Sequence, residues 1–158
     1  MDDRKSVAQQ GNCQWDWWTG VEDEMGKWAD PAEDEVAILH LDNLVRLAEG
    51  PSGIRSNDLT APEGRKLSRA RLPWVGALKS VAFRRRGSEG KRNYRLYFSE
   101  VPEGEKALLA SRLSWKCTGW TDEYTETHQT KQIRDAVGIV EKYCKMQGCG
   151  CRVIVTTS

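Results

Sequence analysis

Apolar and polar residues alternate along CQWDWW, residues 13–18, so Trp15 and Trp17 share one side of a predicted strand and Asp16 and Trp18 the other. From Thr19 the period lengthens. Val21, Met25 and Trp28 fall at helical spacing, with Thr19 placed to cap the helix and Glu22, Asp23 and Glu24 in its first turn. Pro31 then starts a second helix, and its apolar stripe Leu41, Leu44, Val45 and Ala48 is the face a core-packed helix presents. Gly50 and Pro51 end it. Residues 51–73 mix Gly, Ser, Pro and charge and read as a long loop with a short turn at 65–67.

Alternation returns at residues 77–84 and stops at the glycine-bearing tip RRRGSEGKRN, which predicts a hairpin whose returning strand is 94–98. A turn at PEGE, residues 102–105, leads into a third strand over 106–115. Residues 119–127 read as a loop, with His128 in a Thr-rich turn after it. The last helix is expected over 129–145, where Ile133, Ala136, Val137 and Val140 share one face. The β-branched residues of 152–157 suggest one short strand more.

This order predicts an α+β fold. A small twisted antiparallel sheet of about four strands carries two N-terminal helices packed on one face, together with a C-terminal helix. The other sheet face is left partly open. Residues 1–12 read as a flexible tail, 13–147 as the folded domain and 148–158 as a C-terminal extension. Trp15 and Trp17 are expected in the core.

Composition and charge sharpen this picture. The 158 residues are 30% charged and 39% hydrophobic, which suits a globular chain. The net charge of +1 hides a segregation. Residues 1–50 sum to −8, residues 51–96 to +9, and the remainder to zero. A basic middle third is the footprint of a phosphate-binding surface. The competing reading is that the acidic N-terminal helices lie against it and neutralise it.

No apolar run approaches the ~20 residues of a membrane span, and MDDRKSVAQQGN lacks an apolar signal region, so the expected location is the cytoplasm. Cys13, Cys117, Cys144, Cys149 and Cys151 are then expected as reduced thiols. The C-x4-C-x-C group near the end departs from the paired spacing of zinc knuckles, and small half-buried residues are the favoured reading. No metal or other cofactor is expected.

The stretches LDNLVRLAEGPSGIRS, GRKL, LKSVAFRRRGSEGKRNYRLYF, KALLASRLSWK and TETHQTKQIRDAV follow one another in an order that resembles the RelE/ParE superfamily of toxin–antitoxin toxins, in particular its HigB-like members. The resemblance covers about residues 14–144 and rests on the order of elements. It implies a small antiparallel sheet with helices, and a ribosome-dependent endoribonuclease that cuts mRNA by 2′-hydroxyl attack without a metal. The implied partners are a cognate antitoxin protein, mRNA and the ribosome, with no membrane. Arg95 matches the arginine that faces the scissile phosphate, and Lys79 and Lys116 match basic positions around the same cleft. His128 and Tyr143 are the candidates for a proton-transfer group on or before the last helix. Arg84, Arg85, Arg86, Lys91, Arg92 and Arg112 are the expected RNA contacts, and Trp74, Trp115 and Trp120 candidates for base stacking. The acidic position of the family's second strand is Ser80 or Val81 here.

Arginine suits the clamp because its planar fork pairs with two phosphate oxygens and stays charged. A lysine crowded by other cations loses basicity and becomes competent for proton transfer. Two other readings stand beside this one. One is the same fold acting by binding a protein such as gyrase. The other is a nucleic-acid-binding module without chemistry.

Overall fold

A computed structural model describes residues 5–29, 35–61, 63, 67, 69–80 and 90–155. The chain forms a mixed α+β fold of four helices and a mostly antiparallel five-stranded sheet, with a second sheet of two short strands. In chain order the elements are α1 (Val7–Gln10), β1 (Gln14–Trp17), α2 (Val21–Ala29), α3 (Glu35–Glu49), a 3-10 turn (Ser56–Asp58), β2 (Leu59–Thr60), β3 (Arg71–Pro73), β4 (Gly76–Lys79), β5 (Arg92–Glu100), β6 (Ala107–Cys117), α4 (Asp122–Gln147) and β7 (Val153–Val155).

The main sheet runs β1-β6-β5-β4-β2, and β3 pairs with β7. Four strands were expected; the fifth is β2, two residues inside the segment read as a loop, which pairs Leu59 with Leu78 and Thr60 with Ala77. The sheet is also not wholly antiparallel. β1 pairs parallel to β6, from Gln14 opposite Ala107 to Trp17 opposite Ala110. Nearly ninety residues separate the two strands in the chain, and pairing at that distance leaves no local mark in the alternation of side chains.

β4, β5 and β6 form the expected meander. Lys79 stands opposite Arg95, Arg95 opposite Ser114, and Asn93 opposite Lys116. Between Tyr97 and Phe98 the register shifts, because Tyr97 faces Arg112 while Phe98 faces Ala110. Ser111 is the extra residue of this bulge, and its hydroxyl donates to the Tyr97 carbonyl at 3.2 Å.

Helices pack on both faces of the sheet. Trp15 points to α3, where its indole N–H donates to the Val45 carbonyl at 3.0 Å. Its neighbour Asp16 points the other way and accepts from the Tyr143 hydroxyl of α4 at 2.5 Å. Successive strand residues alternate faces, so α3 and α4 sandwich the sheet at β1. The face expected to be left open is thus covered by α4 along β6, through Arg112 on Gln132 and Ser114 on His128.

The core gathers the α3 stripe, where Leu41 and Leu44 are essentially sealed, with Leu78, Leu96, Phe98 and Leu108 of the sheet. Each such aliphatic side chain contributes about 1.5–3 kcal/mol by leaving water. Trp15 and Trp17, expected in the core, are only partly buried and pack against it, Trp15 meeting Phe98 edge-on at 5.7 Å. Within the segment expected as a tail, Ser6 and Gln9 form a capping box on α1 and Ala8 is fully buried. Helix α4 begins at Asp122, seven residues before the expected start, capped by the Thr121 hydroxyl accepting from Tyr124 N–H at 3.1 Å. His128 therefore lies within a helix and not in a turn. No helix among the described residues is long and apolar enough to cross a membrane.

Candidate functional site

The sheet narrows at the end of β4. There Ser80 closes the last rung, donating its N–H to the Tyr94 carbonyl at 3.0 Å and accepting from Tyr94 N–H through its hydroxyl at 2.9 Å. Beyond this rung lies a half-open pocket of about 310 Å³. Lys79, Arg95 and Lys116 line it, one cation from each of three adjacent strands. The register explains the convergence, since Lys79 is the direct cross-strand partner of Arg95 and Lys116 stands opposite Asn93, two residues along β5.

The remaining wall is polar. His40 comes from α3, Asn57 and Asp58 from the 3-10 turn, and Asn93 from β5. Arg95 is largely enclosed, its side chain 13% exposed, and its Nη1 lies 3.6 Å from Glu63 Oε1. Glu63 in turn accepts from the Thr60 hydroxyl, and its backbone N–H donates to the Val75 carbonyl at 2.7 Å. The loop carboxylate thus holds the guanidinium in place. Burial lowers the Lys116 pKa below the usual lysine value, and the neighbouring charges of Arg95 and Lys79 lower it further, against a smaller opposing pull from Glu63. A lysine so placed gives up its proton more readily than one in water.

The other expected site residues lie elsewhere. His128 is one strand beyond the pocket, with its Nε2 3.3 Å from the Ser114 hydroxyl and its ring among those of Trp120 and Tyr124. Burial lowers its pKa, as do Lys131 and Arg112, while a hydrogen bond with the Trp115 backbone opposes the shift. It lines a separate cavity of about 270 Å³ along β6 beyond the reach of β1, with Glu24 and Gln132. Tyr143 sits near the far end of α4. Its hydroxyl is committed to Asp16, and that hydrogen bond, aided by burial, pushes its pKa up to about 12.

Among the expected RNA contacts, Arg84, Arg85 and Arg86 lie outside the described residues. Lys91 is exposed. Arg92 belongs to the sheet face opposite Arg95 and lies over the Trp115 ring, 4.7 Å from its centroid. Arg112 shares the Arg95 face but is held by Gln132 and by Asp135 at 3.6 Å. Trp74, a candidate for stacking, is sealed against Phe98 with no exposed surface, because the strand it precedes runs into the core. Trp115 and Trp120 are half-buried. Cys144, Cys149 and Cys151 are free and pack beside Val101, Leu109 and Val140. Among the described residues no group of three or more His, Cys, Asp or Glu is placed to hold a metal ion.

No family model, curated protein or solved structure matches the chain. Its chemistry has to be read from the pocket.

Sequence reasoning missed five residues there: His40, Asn57, Asp58, Glu63 and Asn93. His40 sits on a helix recognised by its apolar stripe, and nothing local sets it apart from a surface histidine. Asp58 and Glu63 lie in a segment read as loop, and only pairing by β2 brings them beside the strands.

Proposed function

We propose that this pocket binds the backbone of single-stranded RNA and cuts it, in the manner of the ribonuclease toxins of the RelE/ParE superfamily. The supporting observation is the meeting of Lys79, Arg95 and Lys116 in one pocket, with Lys116 made more acidic by burial and by the other two cations. Arg95 and Lys79 neutralise the non-bridging phosphate oxygens as charge builds on them, where fixed cations in a partly dry site act more strongly than in water. The phosphate meets Arg95 in competition with Glu63.

In the reaction the 2′-oxygen forms a bond to its own phosphorus and the bond to the 5′-oxygen breaks. His40 and Asp58 are the proton acceptors among the described residues lining the pocket, and the 2′-hydroxyl proton passes to one of them. Lys116 supplies a proton to the departing 5′-oxygen, which its lowered pKa favours. On this reading the partners are mRNA on the ribosome and a cognate antitoxin protein.

The test is induced expression with transcript mapping, for the wild type and for Arg95→Ala. Wild type is expected to arrest growth and leave transcripts ending in 2′,3′-cyclic phosphate. Arg95→Ala, folded by circular dichroism, is expected to do neither. Arrest with intact transcripts would move the function to a protein target. Arrest by Arg95→Ala at wild-type levels would remove the phosphate clamp.

A further inference from the structure

A second cavity, of about 490 Å³, adjoins the phosphate pocket, and His40 and Asp58 line both. One of its walls is a single face of α3. His40, Asn43, Leu44 and Leu47 recur there at intervals of three and four, so they lie one above another along the helix. The other wall is the segment between α3 and β2, which brings Arg55 to the rim.

The chemistry of this cavity is mixed in a particular way. The half-buried Leu47 gives it apolar surface over the sealed Leu44, while the exposed Asn43 and Arg55 place an amide and a guanidinium at its mouth. A flat, weakly polar ring with hydrogen-bonding edges matches such a lining. The volume lies within the ~300–1,000 Å³ usual for small-ligand sites. The Asn43 side chain offers both a donor and an acceptor, as base edges require.

We infer that this cavity is a nucleobase subsite, which takes the base of a nucleotide flanking the phosphate held by Arg95, Lys79 and Lys116. The inference rests on the reading of the first pocket as an RNA site and adds to it a device for base recognition. A nucleotide tethered to the bound phosphate delivers its base to the neighbouring cavity across the His40–Asp58 boundary. Asn43 then reads the base edge, and Arg55 meets the next phosphate along the strand.

The experiment measures binding of a fluorescent single-stranded oligonucleotide, made uncleavable by 2′-deoxy substitution, to the full chain. One base at a time is replaced by an abasic sugar, which keeps every phosphate. Wild type is expected to lose about tenfold in affinity when one particular base is removed, as for loss of one protein-bound base. Asn43→Leu, at an exposed helical position, and Ser52→Leu, in the exposed loop that also lines this cavity, are each expected to reduce that penalty below about threefold while leaving affinity for the abasic oligonucleotide unchanged. A wild type indifferent to every abasic position, or variants that keep the full penalty, would overturn the subsite alone. Wild type that fails to bind any of these oligonucleotides, or Arg95→Ala binding as well as wild type, would overturn the phosphate pocket and the subsite with it.

Discussion

Lys79 and Arg95 stand directly across from each other on β4 and β5, two cations in one cross-strand pair. Like charges in that relationship oppose the sheet by roughly 0.2–1 kcal/mol, and Glu63 offsets the strain on the Arg95 side only. Replacing Lys79 with Thr should therefore stabilise the fold by about 0.5 kcal/mol in urea titrations. The same substitution should weaken RNA binding for all sequences alike and reduce the salt slope by about one. A variant that is less stable and binds RNA unchanged would contradict the pair's assignment to phosphate.

Lys116 carries the same conflict in a form that pH can expose. Its folded pKa lies below the ordinary 10.5, so the unfolded chain holds the proton more tightly. The charged lysine then opposes folding. That penalty is complete at neutral pH and fades as pH rises through the lowered value toward 10.5. Lys116→Met should raise Tm at pH 7, and its advantage over wild type should shrink on the alkaline side. Its cleavage should be lost at every pH. A Met variant that melts below wild type at neutral pH would show that the ammonium is a stabilising partner.

Tyr143 should prove structural. Its hydroxyl donates to Asp16, which ties α4 to β1, and its pKa is raised from 10.0 to about 12. A phenol whose folded pKa is raised adds stability while neutral; that stability is whole below pH 10.0 and is lost as pH climbs toward about 12. Tyr143→Phe should lose about 1 kcal/mol in urea unfolding at pH 7 and leave RNA affinity unchanged. Loss of affinity in a folded Phe variant would return the residue to the site.

Glu100 and Arg152 form a close, largely enclosed ion pair, at 2.8 Å with Glu100 only 7% exposed. Glu100 also accepts from Val7 N–H, and the guanidinium lies 4.8 Å from the Trp74 ring centroid and donates to the Lys5 carbonyl. Removing one partner leaves a buried charge, so Glu100→Ala should lose about 3 kcal/mol by urea denaturation. A loss under 1 kcal/mol would place this pair with ordinary surface bridges.

What could be read from the sequence follows from the range of the forces involved. The α3 stripe is a local record of one-sided burial and was legible; β5 was legible from its hairpin tip and apolar residues, although residues 96–100 are buried on both faces. The first two turns of α4, DEYTETHQT, bury little and so carry no apolar period. Their signal was the Thr121 cap with acids at Asp122 and Glu123 behind it. Arg112 and Lys116 could be placed on one face by counting along β6, whereas only the family resemblance put Lys79 and Arg95 in the same cleft. His40 and Asp58 reach the pocket only because α3 and β2 dock where they do, and no spacing in the chain encodes that.

Ser111 has a consequence out of proportion to its size. Because it is the extra residue of the bulge, Leu109 faces the Val140 cluster while Arg112, Ser114 and Lys116 still face the same side of the sheet as Arg95. Drawing this serine into the ladder as an ordinary rung would put the two halves of β6 out of phase. Either Leu109 would be turned away from α4, or Leu113, Trp115 and Cys117 would be rotated into the place of the cations. A hydroxymethyl group thus keeps the greasy half of the strand and its ionic half from trading sides.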